Sequence, residues 1–340
     1  MKDIKVLGID LAKNVFQLHG TDARGKCVLT RRLTREKLLE FIANLKPCLI
    51  GLEACLGAHY WARTFEGMGH AVRIMAPQFV KPYVMADKND SNDASGIAEA
   101  VTRPKMKFVA VKTIEQQDVL AMHRARELVM KQRTASINQI RGLLVEYGVV
   151  IPKGAWKMKM LLTILENNSP KLTERSIAIF KRLYDPLKNW DQEIKFYDEE
   201  IEKIANQNVI CKEIMKIEGV GPITASAIVA TVGDAKTFKN GRQMAAWLGL
   251  VPKQHSSGNK IRLSGITKRG DSYVRKLLVQ GARSAVNHCK NKTDRKSIWL
   301  LGKRNLLGYN KAAVAAANKN ARIIWALMVT GESYRQSKAA

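Results

Sequence analysis

Four carboxylates stand where apolar runs end and a helix begins. Asp10 closes Val6–Leu7–Gly8–Ile9–Asp10, and Glu53 closes Leu49–Ile50–Gly51–Leu52–Glu53. Asp90 and Asp93 lie in Lys88–Asn89–Asp90–Ser91–Asn92–Asp93–Ala94, at the expected start of a helix. A spacing of three puts these two on one helical face. Carboxylates at strand ends sit at the edge of a sheet, where α/β sites form. Four acids brought together repel each other unless they hold cations. A hard ion such as Mg²⁺ takes oxygen ligands of this kind, together with substrate phosphates. Two such ions, about 3.5–4 Å apart, would stabilise both the attacking and the leaving oxygen of an in-line displacement. Taken singly, each acid has a plainer use. Asp10 could cap the following turn, and Asp90 or Asp93 could be an N-cap or first-turn acid favoured by the helix dipole. Together, in a chain this basic, they favour a metal-dependent phosphoryl-transfer site.

A second constellation lies far downstream. The polar stretch Pro252–Lys253–Gln254–His255–Ser256–Ser257–Gly258–Asn259–Lys260 follows the apolar run 245–251. Behind it come Arg262, Lys268 and Arg269, in Ile261–Arg262–Leu263–Ser264–Gly265–Ile266–Thr267–Lys268–Arg269–Gly270–Asp271. A serine in a glycine-containing loop among cations has the makings of a nucleophile toward phosphate, with Lys260, Arg262, Lys268 and Arg269 neutralising developing charge. The plainer reading is a Ser-Gly turn in a basic loop that binds backbone phosphates. Arg275, just beyond, joins the expected nucleic-acid contacts. His255 beside the serines reads as a local hydrogen-bonding residue rather than a general base.

The elements that must carry these groups differ along the chain. Before residue 80, short apolar runs alternate with helical stretches. Strands are expected at 5–9, 15–19, 26–31, 48–52 and 71–75, and helices at 34–45, at 58–68 and from Pro77. Strands alternating with helices indicate a three-layer α/β domain with a mixed sheet. From 114 to 147 there is no proline and a single glycine, Gly142, and Ile137, Ile140 and Leu144 share a helical face. After a break near Pro152–Gly154, Leu183, Leu187, Trp190, Ile194, Tyr197, Ile201 and Ile204 recur at spacings of three and four. That is a coiled-coil seam, open to use either as a dimerising arm or as a plain helical hairpin. Pro186 marks a kink or a helix start within it. Ile217–Glu218–Gly219–Val220–Gly221–Pro222 then has the hydrophobic–x–Gly–hydrophobic–Gly form of a helix-hairpin-helix turn. Gly219 and Gly221 could let backbone amides approach a phosphate, or could simply form a tight connection.

Charge supports a polyanionic partner. The 340 residues carry 57 Lys+Arg against 30 Asp+Glu, a net +27. Residues 1–150 contribute +8, residues 151–210 contribute +1, and residues 211–340 contribute +18, so the last segment is the first candidate for a phosphate-facing surface. A hydrophobic share of 46% is enough to build cores and excludes a disordered basic tail. There is no apolar run of membrane-spanning length and no leader-like start, so neither a membrane nor a secretory protein is expected. Five widely spaced cysteines without a CxxC pair argue against a disulfide framework or a zinc site and for a reducing compartment, the cytoplasm.

These motifs, in their order and spacing, resemble the DEDD-type insertion-sequence recombinases of the IS-one-ten family, and most closely its IS-eleven-eleven branch. The likeness rests on Gly8–Ile9–Asp10–Leu11–Ala12–Lys13, on residues 52–61 (LEACLGAHYW) and on residues 88–94. It continues through Gly219–Val220–Gly221–Pro222, Leu248–Gly249–Leu250–Val251–Pro252, Ser256–Ser257–Gly258 and residues 266–271. It implies a RuvC-like, ribonuclease-H-type domain over 1–112, a coiled-coil region over 113–208 and a helical transposase domain over 209–340. It implies that Asp10, Glu53, Asp90 and Asp93 hold Mg²⁺. It also implies that Ser257 attacks DNA to form a covalent phosphoserine link. The Ser256–Ser257 doublet departs from the family pattern and keeps Ser256 as the alternative. The resemblance further implies a homodimer pairing into a tetramer, a structured guide RNA that pairs with donor and target DNA, and a bacterial protein that is nucleoid-associated when acting. Carboxylates and serine on different domains would be expected to meet on assembly. Two other readings remain at this point: a RuvC-like nuclease or junction resolvase without a covalent intermediate, and a non-enzymatic nucleic-acid-binding protein.

Overall fold

The computed structural model describes residues 3–85, 89–258 and 260–335. Lys88 and Asn259, which belong to two of the motifs above, lie outside the described residues. Contacts divide the chain into two units, residues 1–113 and 114–340.

In the first unit, β1 (Val6–Asp10), β2 (Val15–Thr21) and β3 (Cys27–Thr34) form an antiparallel meander. Then follow α1 (Arg35–Ala43), β4 (Leu49–Glu53), α2 (Ala58–Gly67), β5 (Ala71–Met75), the single turn α3 (Pro77–Val80), α4 (Asp90–Val101) and the short β6 (Phe108–Val109). The sheet order is β3-β2-β1-β4-β5-β6, with β1, β4 and β5 parallel and β6 antiparallel to β5.

Residue alternation sorts the two faces of this sheet. Leu7, Ile9, Ile50 and Leu52 enter one core with Phe16, Leu38, Trp61 and Phe65. Val6 and Leu49 pack on the opposite side, with Ile97, Ala100 and Val101 of α4. The period of two therefore puts Gly8, Asp10, Gly51 and Glu53 on the α4 side of the sheet.

The second unit is almost wholly helical. It begins with α5 (Ile114–Val145), α6 (Leu161–Asn167) and α7 (Glu174–Gln207). Helices α5 and α7 run antiparallel, since Arg126 pairs with Asp198 at 2.5 Å, Arg133 with Asp191, and the Ser136 hydroxyl donates to the Leu183 carbonyl at 3.0 Å. Pro186 lies inside α7 and does not end it, because the helix is held by packing on both sides of the lost backbone donor. Ile137, Ile140 and Leu144 meet Phe180, Tyr184 and Leu187 in a core of their own. The heptad-like seam of α7 is thus engaged within the chain, as a helical hairpin.

The remaining elements are α8 (Val209–Met215), α9 (Pro222–Val232), α10 (Gly241–Trp247), β7 (Pro252–Gln254), β8 (Leu263–Ile266), α11 (Ser272–Asn287), α12 (Arg295–Leu307) and α13 (Tyr309–Thr330). The helices share one core built largely of alanine, from Ala225 and Ala245 to Ala316 and Ala321, which lets backbones approach closely. A buried polar chain ties α5 to this core. His123 bonds Tyr273 Oη at 3.0 Å and Ser226 Oγ at 3.1 Å. Burial and the Arg126 charge push its imidazole down to about 4, so the ring is neutral. No described helix is long and apolar enough to cross a membrane.

Candidate active site

Two glycines decide where the carboxylates go. Gly8 and Gly51 are register partners on the adjacent parallel strands β1 and β4. A Cβ on Gly8 would overlap the Ala94 carbonyl and Ala98, and one on Gly51 would meet Val101 Cβ at 2.9 Å and Ile97 Cγ2 at 3.1 Å. Their missing side chains let α4 lie directly on the sheet. The strands then deliver Asp10 and Glu53 two residues further along the same face, while the first turn of α4 delivers Asp90 and Asp93. The capping role falls to Asn89, whose side chain accepts from the Asn92 amide at 2.8 Å, so neither aspartate is needed for it.

Carboxylate oxygens of Asp10, Asp90 and Asp93 all lie within 4.8 Å of one another. Glu53 is outside that set of three but feels the Asp93 charge. Burial first, and Asp93 second, hold its carboxyl above the usual range. Among the described residues no ion pair or hydrogen bond engages the side chains of Glu53, Asp90 or Asp93. Clustered carboxylates are the donor set a hard divalent cation fits. Oxygens bound to one such ion at about 2.0–2.1 Å stand roughly 2.9 Å apart in cis positions, so the carboxylates would draw inward on a bound ion. Burial and the charges of Glu53 and Asp10 push the neighbouring Cys55 thiol up to about 11.

The serine loop takes a form its composition hides. Strands β7 and β8 pair as an antiparallel hairpin. It continues outward through the His255 amide donating to the Arg262 carbonyl at 2.9 Å, and through a bridge between Ser257 and Lys260. Gly258 follows Ser257 with φ 56°, the left-handed value this turn requires. Ser256 and Ser257 are both exposed but differ in their bonding. The Ser256 hydroxyl accepts from Gln254 Nε2 at 3.0 Å, whereas the Ser257 hydroxyl makes no hydrogen bond among the described residues. His255 bonds neither serine side chain. Lys260, Arg262, Lys268 and Arg269 are exposed, and among the described residues none forms an ion pair.

The similarity to known proteins runs through both regions. Residues 7–149 match the DEDD transposase domain of IS110 type, and residues 211–297 match the Transposase IS116/IS110/IS902 family. The transposase for insertion sequence element IS1111A of Coxiella burnetii is 49% identical over 336 residues, covering 98% of this chain and 92% of that one. The chain belongs to the IS110 family of transposases. A probable family 20 transposase of Pseudomonas aeruginosa is 46% identical, over 97% of this chain and 98% of its own. The transposase for IS1328 of Yersinia enterocolitica is 36% identical over the same shares. DNA is therefore the substrate, and a DEDD domain together with the aspartate cluster points to the use of a divalent metal.

Within this transposase, Gly219 and Arg275, both expected to touch nucleic acid, also make internal contacts, while Gly221 does not. Gly219 has φ 83°, and a Cβ there would lie 2.5 Å from the Gly281 carbonyl oxygen. Its missing side chain serves the close crossing of the α8–α9 turn over α11. Gly221 is the N-cap of α9, with extended backbone and open space around it. Arg275 directs Nη1 to the carbonyls of Arg269 at 2.8 Å and Leu248 at 3.1 Å. It clasps the Thr267–Gly270 segment to the turn after α10. Gly249 and Gly270 press into the same junction, and Lys268 adopts φ 54°, a left-handed conformation costly for a residue with a side chain. The basic loop is therefore fixed by its backbone, leaving the Lys268 and Arg269 side chains outward. Sequence reasoning singled out the carboxylates and the serine loop but missed Gly8, Gly51 and Asn89. The matching pattern of two apolar residues, glycine, an apolar residue and an acid in both strands was the available signal.

Proposed function

We propose that this transposase cuts, exchanges and rejoins DNA through a covalent phosphoserine intermediate on Ser257. The carrying observation is a Ser257 hydroxyl that makes no hydrogen bond among the described residues, at an exposed hairpin tip with Lys260 and Arg262 nearby along the hairpin, in a chain that also gathers an aspartate cluster on a sheet we read as RuvC-like and ribonuclease-H-type. Ser257 Oγ attacks the scissile phosphorus and loses its proton to solvent. The bond from phosphorus to one deoxyribose oxygen breaks, and that oxygen leaves as a hydroxyl. A phosphodiester has been exchanged for a phosphodiester, so no bond energy is lost to water. The reverse attack by a DNA hydroxyl restores Ser257 and seals a strand. Lys260 and Arg262, on the outer part of the hairpin, neutralise charge on the reacting phosphate, while Lys268 and Arg269 at its root hold neighbouring phosphates.

Asp10, Asp90 and Asp93, with Glu53, would hold Mg²⁺, probed as one or two ions. Bound there, the metal supplies Lewis-acid polarisation of phosphoryl oxygens. Site choice is assigned to a structured guide RNA. The exposed cations of the hairpin suit phosphates, which position a nucleic acid without reading its sequence. The +18 carried by residues 211–340 suits a nucleic-acid partner. Exposed Leu143, Val145, Tyr147, Val150 and Met160, near the turn that follows α5, support self-association into dimers and a tetramer.

The test is strand exchange between two labelled duplexes, carried out with the RNA that copurifies with the protein. Exchange is expected with Mg²⁺ and RNA, and is expected to stop on chelation or ribonuclease treatment. Cleavage to free ends without exchange, and with no protein attached, would replace this reading with a hydrolytic nuclease.

A further inference from the structure

A cavity of about 1000 Å³ opens between α10, the base of the β7/β8 hairpin and α13. Its wall is mostly apolar, with Leu250, Val314 and Ala326 from the helical core. Pro252 and Ile266, at the paired ends of β7 and β8, complete it on the hairpin side. Four cations line the same space: Arg242, Lys311, Lys319 and Arg322. Among the described residues none of the four side chains reaches a carboxylate. The Lys319 ammonium lies over the Trp299 ring instead, 4.3 Å from its centroid. Burial, and the neighbouring charges of Arg295 and Arg322, push Lys319 below the usual lysine value. The cavity is thus a crowd of like charges around an apolar floor, with no anion to relieve it.

This chemistry selects its occupant. Cations along a groove take the phosphates of a strand, and an indole face takes the flat face of a base. A duplex keeps its base faces stacked inside, so only a single strand can use Trp299. We propose that the cavity binds a single DNA strand, whose phosphates draw Lys319 off Trp299 while one base stacks on the freed indole face. The inference deepens the strand-exchange reading and rests on it for the choice of DNA. The strands whose ends line the cavity lead outward to Ser257, so a DNA strand running to that hydroxyl passes the hairpin base.

The test uses the full chain, a short labelled oligodeoxynucleotide and an oligoribonucleotide of the same sequence. Affinity is read by anisotropy and stacking by quenching of tryptophan fluorescence. The oligodeoxynucleotide is expected to quench, and Trp299→Leu to remove that quench and weaken binding by roughly five- to a hundredfold. Arg322 is exposed, so Arg322→Gln is expected to fold normally and to lower the slope of log affinity against log salt by about 0.7. Ser257→Ala is expected to bind and quench as the unaltered chain does, so a missing covalent adduct bears on Ser257 and a missing quench bears on the cavity. Unchanged affinity and quench in both Trp299→Leu and Arg322→Gln would overturn the proposal. So would tighter binding of the oligoribonucleotide through these same two residues.

Discussion

The aspartate cluster and the serine hairpin are built on opposite principles. The carboxylates project from the ends of central strands and from a helix pressed onto them through Gly8 and Gly51. Asp10 and Glu53 extend from buried strands, and Asp90 and Asp93 from the first turn of a helix whose later residues are buried against them. Ser257 stands at the tip of an exposed hairpin, and only the root of that hairpin is fixed, by Arg275 and the turns at Gly249 and Gly270. A cation site tolerates little error in ligand position, so it belongs on a packed sheet. A nucleophile that must reach a phosphate inside a nucleic acid gains from exposure, provided its base is anchored. The difference predicts that mutations in the first region act through packing as well as chemistry, while those in the second act through chemistry or positioning alone.

The largest expected effect is on the proposed nucleophile. Ser257→Ala should lower strand exchange by on the order of 10⁴-fold or more with an unchanged thermal midpoint, measured on the purified protein. Asp93→Asn should be comparably inactive, and unlike Ser257→Ala it should also lose any stabilisation by added Mg²⁺ in a thermal melt.

Gly51→Val attacks the packing of the first region without touching a carboxylate. The added side chain must displace Val101 and Ile97, and overpacking of this kind costs about 1–3 kcal/mol. Denaturant unfolding should show that loss, and activity should fall with it as Asp90 and Asp93 move away from Asp10. A stable, fully active Gly51→Val protein would remove the glycine pair from the account.

Arg275→Gln probes the root of the hairpin. Releasing the carbonyls of Leu248 and Arg269 frees the loop that carries Lys268 and Arg269. A drop of roughly a hundredfold in exchange rate is expected, the scale of a misplacement near 1 Å. Affinity for non-specific duplex should change little. If Arg275 contacted phosphate directly, that affinity and its salt dependence would fall instead.

The smallest effect is a stability change at Glu53. Its folded-state carboxyl is held above the ordinary range by burial and by Asp93. The raised value means that the protonated form is favoured by folding. Stability from this group is full below the unfolded value near 4.5 and is lost as pH rises through the raised folded value. In chelator, the thermal midpoint should therefore decline as pH climbs from about 4.5 toward neutrality, and Glu53→Gln should flatten that decline while abolishing exchange. Added divalent cation should offset the decline in the unaltered protein only.

How much of this was legible in the sequence follows the same division. Asp10 and Glu53 could be placed because strand alternation and strand ends are local properties of short apolar runs. The convergence of Asp90 and Asp93 on Asp10 depends on the contact between α4 and the glycine pair, which joins residues some 40 to 90 positions apart. Asn89 as the cap of α4 was open to reading, yet the two acids beside it drew the capping role in its place. The β7/β8 hairpin was hidden because both strands are short and largely exposed, so no hydrophobic alternation marks them. Gly219 has the sequence of a phosphate-binding turn, and only its partner Gly281, 62 residues on, shows the demand of packing. Pro186 does not start a helix for a related reason, since tertiary contact with α5 carries α7 through a residue that local propensity would make a boundary.

The central claim is that Ser257 becomes covalently joined to DNA, and denaturing electrophoresis of the protein with labelled donor DNA, guide RNA and Mg²⁺ tests it most directly. The account predicts a protein–DNA band for the unaltered chain and for Ser256→Ala, and none for Ser257→Ala. A band that persists in Ser257→Ala and vanishes in Ser256→Ala would contradict it.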